Sequence, residues 1–174
     1  MDAQVPDWSR ESKRFLQWSP SRSLLTAIRK YQELPPGSRI RRRLQIERHR
    51  FWSIVTGADI PINCRIGGGL LLPHPNGVVI APDAEIGVNC IIFQQVTIGT
   101  NGRGYPVIGD DVEIGAGAKV LGPISIGSRA QLGANAVVVR DVREGAVAAG
   151  VPAREIGDTR REPVVATARR RGME

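Results

Sequence analysis

The chain has 174 residues, 20 glycines, 5% aromatic residues and a formal net charge of +7. This length suits one domain with an appendage, and the scarcity of aromatic side chains disfavours a bundle with a bulky core. No apolar run approaches the roughly 20 residues of a membrane span, and no signal-type apolar segment lies near the N-terminus. The sequence therefore predicts a cytoplasmic protein.

Basic residues are concentrated at both ends of the chain. Half of the 24 Lys and Arg residues lie within residues 1–50, and six arginines follow from position 154 onward. The simplest interpretation is a solvated basic appendage at each end, with contact between the N-terminus and an anionic membrane surface as an open alternative. Nucleic-acid binding is not expected, because "RIRRRLQIERHR" contains no interleaved aromatic residues and no recognised motif.

Residues 1–57 are predicted to form a basic helical segment. "SRSLLTAIRKYQEL" indicates one helix, and "SRIRRRLQIERHRFWSIVTG" indicates a second, with Ser38 as N-cap and Gly57 at its end. His49 lies on the second helix, where a surface or packing role is expected. Residues 1–19 and the arginine-rich tail 158–174 are expected to be weakly ordered. Apolar faces are supplied by Leu24, Leu25, Ile28 and Tyr31 in the first helix and by Ile40, Leu44, Phe51, Ile54 and Val55 in the second.

From residue 58 onward the sequence repeats every six residues. Aliphatic residues recur from Ile80 to Ile98 and again from Ile108 to Val138, and a small or β-branched residue follows each by four positions. A helix would instead place apolar residues at i, i+3, i+4 and i+7. A six-residue period is typical of a parallel β-helix, in which three hexapeptides form one triangular coil. The predicted fold class is mainly β, with a β-helix over residues 58–157 behind the helical segment.

The two cysteines are predicted to be packing residues. Cys64 and Cys90 both fall in the small inward position, four hexapeptides apart once a two-residue phase shift is subtracted. Because four is not a multiple of three, they belong to different faces of the coil, so a disulfide is not expected. Their spacing is also not that of a metal site.

The period is interrupted twice, and a repeat protein is expected to carry its function at such interruptions. The first shifts the phase by two residues around His74, which is flanked by Pro73 and Pro75. The second adds four residues in the loop 100–106, "TNGRGYP". A histidine lifted off a regular wall is a candidate general base, because imidazole titrates close to neutral pH.

Three stretches, in this order, resemble the serine acetyltransferase branch of the hexapeptide-repeat acyltransferases. They are "ADIPINCRIGGGLLLPHPNGVVIAPDAEIG", "VTIGTNGRGYPVIGDDVEIGAGAKVLG" and "AAGVPAR", and the similarity covers residues 40–157. The resemblance implies a left-handed β-helix, a homotrimer and an acetyl-CoA-dependent O-acetyltransferase without a metal. The acetyl group would pass directly from acetyl-CoA to a small hydroxyl-bearing acceptor, with no acyl-enzyme.

The resemblance also implies roles for eight residues. His74 matches the catalytic histidine of the family, and Asp59 matches the carboxylate that pairs with it. An alcohol needs a base poised near neutral pH, and a carboxylate on the other ring nitrogen would fix the imidazole tautomer. Arg103 and Tyr105 lie in the loop that would contact the acceptor. Positions matching the coenzyme A contacts, in a groove between subunits, are Ala116, Ala134, Arg140 and Arg154.

Two departures from the family pattern concern the acceptor. Serine acetyltransferases have an Asp before the catalytic histidine, where this chain has Pro73. They end the extended loop in Arg-His-Pro, where this chain has Gly104-Tyr105-Pro106. Recognition of serine is therefore less specified than acetyl transfer, and a sugar or polysaccharide hydroxyl is the alternative acceptor. The reduced helical domain predicts a single trimer.

Two functions other than acetyl transfer are compared with the residues of this β-helix. A γ-type carbonic anhydrase holds zinc with three histidines, and this chain has two in total, one of them outside the repeats. A structural β-helix without enzymatic activity stays open, and it predicts no coenzyme A binding.

Overall fold

The computed structural model describes residues 5–13 and 17–159, so the predicted tail beyond residue 159 lies outside the described residues. A short 3-10 helix, Trp8–Arg10, precedes two α-helices, α1 (Pro20–Gln32) and α2 (Arg39–Thr56). The strands that follow are β1 Arg65–Ile66, β2 Val79–Ile80, β3 Glu85–Ile86, β4 Ile91–Ile92, β5 Thr97–Gly99, β6 Val107–Ile108, β7 Glu113–Ile114, β8 Lys119–Leu121, β9 Ser125–Ile126, β10 Gln131–Leu132, β11 Val137–Val138, β12 Ala146–Gly150 and β13 Ala153–Asp158.

The strands stack into three sheets that form the walls of a triangular prism. Sheet 1 has the order β1-β3-β6-β9, sheet 2 has β4-β7-β10-β12-β13, and sheet 3 has β2-β5-β8-β11. Pairing within each sheet is parallel, except that β13 returns antiparallel to β12. From β3 to β11 the chain visits sheets 1, 2 and 3 in turn, which confirms the predicted parallel β-helix.

The strand register locates both interruptions of the repeat. Ile108 pairs with Ile126, eighteen residues further on, which is one regular coil of three hexapeptides. Ile66 pairs with Ile86, twenty residues further on, because that coil contains the corner at His74. Ile86 pairs with Ile108, 22 residues further on, because that coil contains the extended loop. Both insertions are therefore absorbed at corners, and the inward ladder stays in register.

Most of the glycines that follow the inward aliphatic residues permit close stacking of successive coils. A Cβ atom at Gly87 would lie 2.6 Å from the backbone of Gly109, a distance that no real side chain tolerates. Positive φ occurs instead at later corner positions such as Asn89 and Gln95, with φ values of 58° and 59°. Asn tolerates this left-handed conformation better than most residues. Spacing between coils thus dictates glycine at one corner position, and turn geometry governs another.

Both cysteines are buried and free. Cys64 directly precedes β1 in sheet 1 and Cys90 directly precedes β4 in sheet 2, so the prediction that they lie on different faces is confirmed. Burial raises the pKa of the Cys64 thiol to about 11 and that of the Cys90 thiol to about 12. Desolvation disfavours the charged thiolate, which is the reactive form.

Native protein is expected to be inert to a thiol reagent such as dithionitrobenzoate at mildly alkaline pH. With pKa values this high, about one thiol in a thousand or fewer is ionised at pH 8. Absorbance of the released chromophore should stay flat in native protein and rise to two equivalents per chain in denaturant. Rapid labelling of native protein would show that one of the two thiols is accessible.

The helical segment caps the first coils through one face of each helix. Leu24, Leu25 and Ile28 of α1 are buried against the β-helix core. α2 attaches through the face that carries His49, whose Nε2 donates a hydrogen bond of 2.8 Å to the carbonyl oxygen of Ile60. In α2, by contrast, the apolar residues expected to form a packing face are exposed: Ile40, Leu44, Phe51, Ile54 and Val55. Sequence periodicity predicted this face but could not say whether another part of the chain covers it.

A segment preceding α1 is tied to the coils, although weak order was expected before residue 20. The carboxylate of Glu11 is buried, forms an ion pair of 2.8 Å with Arg29 and accepts a hydrogen bond of 3.0 Å from the Leu70 N–H. Arg29 also donates to the carbonyl oxygens of Ile66 and Gly67. These contacts are not periodic, so the repeat pattern gave no sign of them.

Within residues 5–13 and 17–159, no helix has both the length and the apolar character needed to traverse a bilayer.

Candidate functional site

His74 lies at the corner between sheets 2 and 3, where the first interruption falls. The inward residues Leu72 and Val78 on either side of it are buried, and they are six residues apart. One coil later the corresponding inward residues are Ile92 and Val96, only four residues apart. The two additional residues bulge outward, and His74 is exposed as a result. The strand register thus shows the predicted displacement of His74 from the regular wall.

The helical segment forms the other wall of a cleft at this corner. The cleft has a volume of about 450 Å³ and brings together the His74 corner, the end of α2 and the start of α1. The sequence predicted the part of this lining that belongs to the His74 corner. It did not predict the helical part, because Trp18 and the turn after it lie outside any repeat. The lining residues are Trp18, Ser19, Pro20, Ser21, Val55, Thr56, Pro73, His74, Pro75 and Asn76.

Asp59 lies in the first coil, next to strand β2 of sheet 3, which the chain enters after the His74 corner. Its backbone forms a parallel bridge with Val79, and its side chain is exposed on the outer surface of that sheet. Both Asp59 and His74 belong to the described residues, and no hydrogen bond joins their side chains. The pairing of this carboxylate with the imidazole therefore stays a prediction.

Three of the other candidate residues lie along the same prism edge as His74. Ala116 and Ala134 occupy the corner between sheets 2 and 3 in later coils, where the N–H of Asn135 donates a hydrogen bond of 2.8 Å to the carbonyl oxygen of Ala116. Arg154 lies on β13 opposite Ala149, at the far end of sheet 2. An exposed imidazole, a line of small residues and a terminal arginine thus follow one edge.

The remaining candidates lie on a different edge. Arg103 and Tyr105 belong to the loop after β5, and Arg140 follows β11, so all three are at the corner between sheets 3 and 1. The loop is shaped by its own side chains, since Asn101 Oδ1 accepts a hydrogen bond of 3.1 Å from the Arg103 N–H. Arg103 is exposed and Tyr105 is half-buried. A single chain therefore does not bring these residues together with His74.

The chemistry available at the His74 edge is that of a base and an anion site. An imidazole can accept a proton, and an arginine can bind a phosphate by paired hydrogen bonds. Among the described residues, no group of three or more His, Cys, Asp or Glu side chains has a geometry that could hold a metal ion.

Comparisons with known proteins point to one family. Residues 105–140 match the family model described as bacterial transferase hexapeptide (six repeats). The serine acetyltransferase of Mycobacterium tuberculosis is 46% identical over 117 residues, which are 65% of this chain and 51% of that protein. The serine acetyltransferase of Helicobacter pylori strain J99 is 42% identical over 106 residues, which are 59% of this chain and 62% of that protein.

Solved structures agree with the sequence relatives. A serine acetyltransferase in complex with CoA superposes with a TM-score of 0.70 at 35% identity, covering 81% of this chain and 59% of that one. Soybean serine acetyltransferase complexed with serine superposes with a TM-score of 0.65 at 38% identity, covering 79% and 56%. The chain thus spans between half and two thirds of the length of these relatives. It is a hexapeptide-repeat protein whose sequence and fold are similar to those of serine acetyltransferases.

Proposed function

We propose that the chain is an acetyl-CoA-dependent O-acetyltransferase with His74 as the general base. The observation that carries the proposal is the position of His74, which is displaced outward on the same prism edge as Ala116, Ala134 and Arg154. Further support comes from the relatives, which are named serine acetyltransferases, and from solved relatives described as complexes with CoA or with serine.

The proposed reaction is a direct transfer in one addition and one elimination. The acceptor hydroxyl oxygen attacks the thioester carbonyl carbon while His74 takes its proton. The tetrahedral intermediate then expels the sulfur, the C–S bond breaks, and the imidazolium returns the proton to give the free thiol of CoA. Asp59 is proposed to stabilise the imidazolium and to orient the ring. Neither Cys64 nor Cys90 takes part, because both thiols are buried.

Acetyl-CoA is proposed to lie along the His74 edge. The half-buried Ala116 and the exposed Ala134 offer methyl groups only, so an extended pantetheine arm can approach the backbone of the coils. Arg154 at the far end is exposed and suits a phosphate of the nucleotide. A thioester at the His74 end and phosphates at the Arg154 end match the polarity of this edge.

The acceptor site is proposed to be completed by a second copy of the chain. Arg103 and Tyr105 lie on the edge between sheets 3 and 1, whereas His74 lies on the edge between sheets 2 and 3. In the proposed homotrimer, each groove between neighbouring prisms combines the edge between sheets 2 and 3 of one copy with the edge between sheets 3 and 1 of the next. Arg140 would then face CoA across the same groove.

Serine is the leading acceptor, and a sugar hydroxyl is the alternative. The names of the relatives favour serine. Pro73 beside the histidine and the Gly104-Tyr105-Pro106 sequence in the loop favour the alternative, because each replaces a charged or polar contact of the family. Arg103 decides between them, since a guanidinium on this loop could hold the carboxylate of an amino acid but finds no such group on a neutral sugar.

The test is CoA release from acetyl-CoA in the presence of serine, homoserine, simple sugars and glycan fragments. If an amino acid is the acceptor, Arg103→Ala is expected to raise its KM by about tenfold to a hundredfold, the effect of losing a hydrogen bond between charged groups. Arg65→Ala is the matched control, because Arg65 is an exposed arginine on sheet 1.

Each outcome is informative. An unchanged KM for serine with Arg103→Ala would remove this residue from the acceptor site. Release with a sugar but not with serine would establish the alternative acceptor. An absence of CoA binding and of release with every acceptor would favour a structural β-helix.

A further inference from the structure

Helix α2 exposes an apolar seam with regular spacing. Ile40, Leu44, Phe51 and Ile54 are 88%, 56%, 55% and 83% exposed. Together with Glu47 they follow the alternating four-three spacing that places side chains along one side of a helix. The opposite side of α2 packs on the rest of the chain. The seam is thus an uncovered apolar stripe along the whole of an 18-residue helix.

Arginines line both flanks of this seam. Arg41 and Arg48 follow it on one side, and Arg43 and Arg50 follow it on the other, and all four are exposed. Glu47, inside the seam, forms an ion pair of 3.1 Å with Arg50, so the local negative charge is offset. An occupant of the seam must therefore present apolar groups at its centre and negative charge on both sides.

A cleft beside the seam adds a concentrated cationic surface. It has a volume of about 480 Å³ and is lined mainly by arginines and one tyrosine. The guanidinium of Arg42 lies 5.1 Å from the centre of the Tyr31 ring, and its Nε–H is buried with no acceptor among the described residues. Nη2 of the same guanidinium donates a hydrogen bond of 2.9 Å to the carbonyl oxygen of Leu34, so Arg42 is held at the wall of the cleft. The lining residues are Tyr31, Arg39, Arg42, Arg43, Ile46, Glu47 and Arg50.

Aromatic side chains extend the apolar stripe at the other end of α2. Trp18 is 73% exposed, and its ring centre lies 5.6 Å from that of Trp52. Phe51 packs edge-on against the same Trp52 at 5.0 Å. Trp and Phe beside a cationic helix are the residues that lodge at the boundary between headgroups and acyl chains.

A second copy of α2 does not fit the seam. In either direction of pairing, the flanking arginines of one helix would face the flanking arginines of the other, and like charges at these positions oppose association. The cationic cleft also contains Arg39 and Arg42, which lie further round the helix than the flanking arginines. A surface with negative charge on all sides of an embedded helix satisfies both the seam and the cleft.

We propose that α2 docks the protein onto an anionic phospholipid surface. The helix lies in the plane of the interface, with Ile40, Leu44, Phe51 and Ile54 among the acyl chains and the flanking arginines on headgroup phosphates. The helix rests on the membrane and does not cross it. This inference does not depend on the proposed function, although the cleft at His74 opens at the same end of α2, where Val55 and Trp18 line it.

The test is co-sedimentation of the full chain with vesicles. Vesicles of phosphatidylcholine alone are compared with vesicles containing phosphatidylglycerol, at low salt and at about 0.5 M NaCl, where surface charges are screened within a few Å. Wild-type protein is expected to bind the anionic vesicles at low salt only. Arg41→Gln with Arg48→Gln is expected to weaken partitioning by about thirtyfold, since each charge near an anionic surface contributes about fivefold.

Matched control variants distinguish binding through α2 from non-specific effects of net charge and of exposed apolar residues elsewhere. Arg65→Gln with Arg129→Gln removes two exposed arginines from the β-helix and should leave binding within twofold of wild type. Ile40→Ser with Ile54→Ser should weaken binding by at least about tenfold, whereas Ile156→Ser, which changes an exposed apolar residue on β13, should not.

Several results would overturn the proposal. These are equal binding to neutral vesicles, no binding to anionic ones, or equal losses in the α2 variants and the controls. Light scattering on the same protein preparations, without vesicles, tests the alternative occupant, which is a second copy of this chain. If Ile40→Ser with Ile54→Ser lowers the mass of the assembly while wild-type protein ignores vesicles, the seam is an interface between copies of this chain.

Discussion

Replacement of His74 by alanine is expected to lower CoA release by a factor of about 10² to 10⁴, the usual contribution of a positioned general base. The fold should not change, because the side chain is exposed on an outward bulge of one corner. Circular dichroism and thermal melting should match wild type. Release of the CoA thiol can be followed with a thiol reagent, since the two thiols of the chain are buried.

Asp59 and His49 provide the controls for this prediction. Asp59→Asn should lower the rate as well, and combining it with His74→Ala should add little, because residues that act as a unit are not additive. His49→Gln changes the other histidine, which holds α2 to the Ile60 carbonyl, so it should affect stability more than turnover. CoA release that survives His74→Ala would refute the proposed mechanism.

Replacement of Glu11 by alanine is expected to destabilise the chain by about 3–5 kcal/mol, the usual cost of breaking a buried ion pair from one side. The guanidinium of Arg29, 14% exposed, would keep its carbonyl partners but lose its counter-charge. The Leu70 N–H would lose its acceptor. Urea unfolding at a fixed protein concentration measures the free energy, because any assembly makes stability depend on concentration.

Glu47→Ala is the matched control for the ion-pair prediction. Glu47 also pairs with an arginine, but both side chains are more than half exposed, so its loss should cost less than about 1 kcal/mol. Glu11→Leu with Arg29→Met should recover much of the stability, since an apolar pair of similar volume avoids the unpaired charge. If Glu11→Ala unfolds at the same urea concentration as wild type, the segment before α1 does not hold the coils together.

The β-helix was predictable because every hexapeptide obeys the same packing rule. One inward aliphatic residue and one inward small residue per strand define the period, and the same rule placed Cys64 and Cys90 on separate faces. The His74 corner was predictable for the converse reason, since a two-residue change of phase is visible only against a regular background.

The contacts that occur once in the fold could not be predicted in this way. The ion pair between Glu11 and Arg29 and the position of Trp18 in the cleft depend on how the helices lie across the first coils. No period encodes that packing. The sequence predicted an apolar face on α2, but whether another part of the chain covers that face depends on how the helices lie across the first coils. The roles proposed for Asp59, Arg103 and Arg154 rest on family resemblance, because the repeat marks inward positions and these three side chains are exposed.

Because the coils stack at a constant spacing, the length of the prism edge is set by their number. From the corner at His74 to β13 there are five strand spacings, since Leu71 bridges to β4 and sheet 2 continues through β7, β10 and β12 to β13. At about 4.8 Å per spacing this is about 24 Å. The number of coils therefore sets the distance between the imidazole and the terminal arginine. A chain with one eighteen-residue coil more or fewer would keep its core in register and would change this distance by about 4.8 Å.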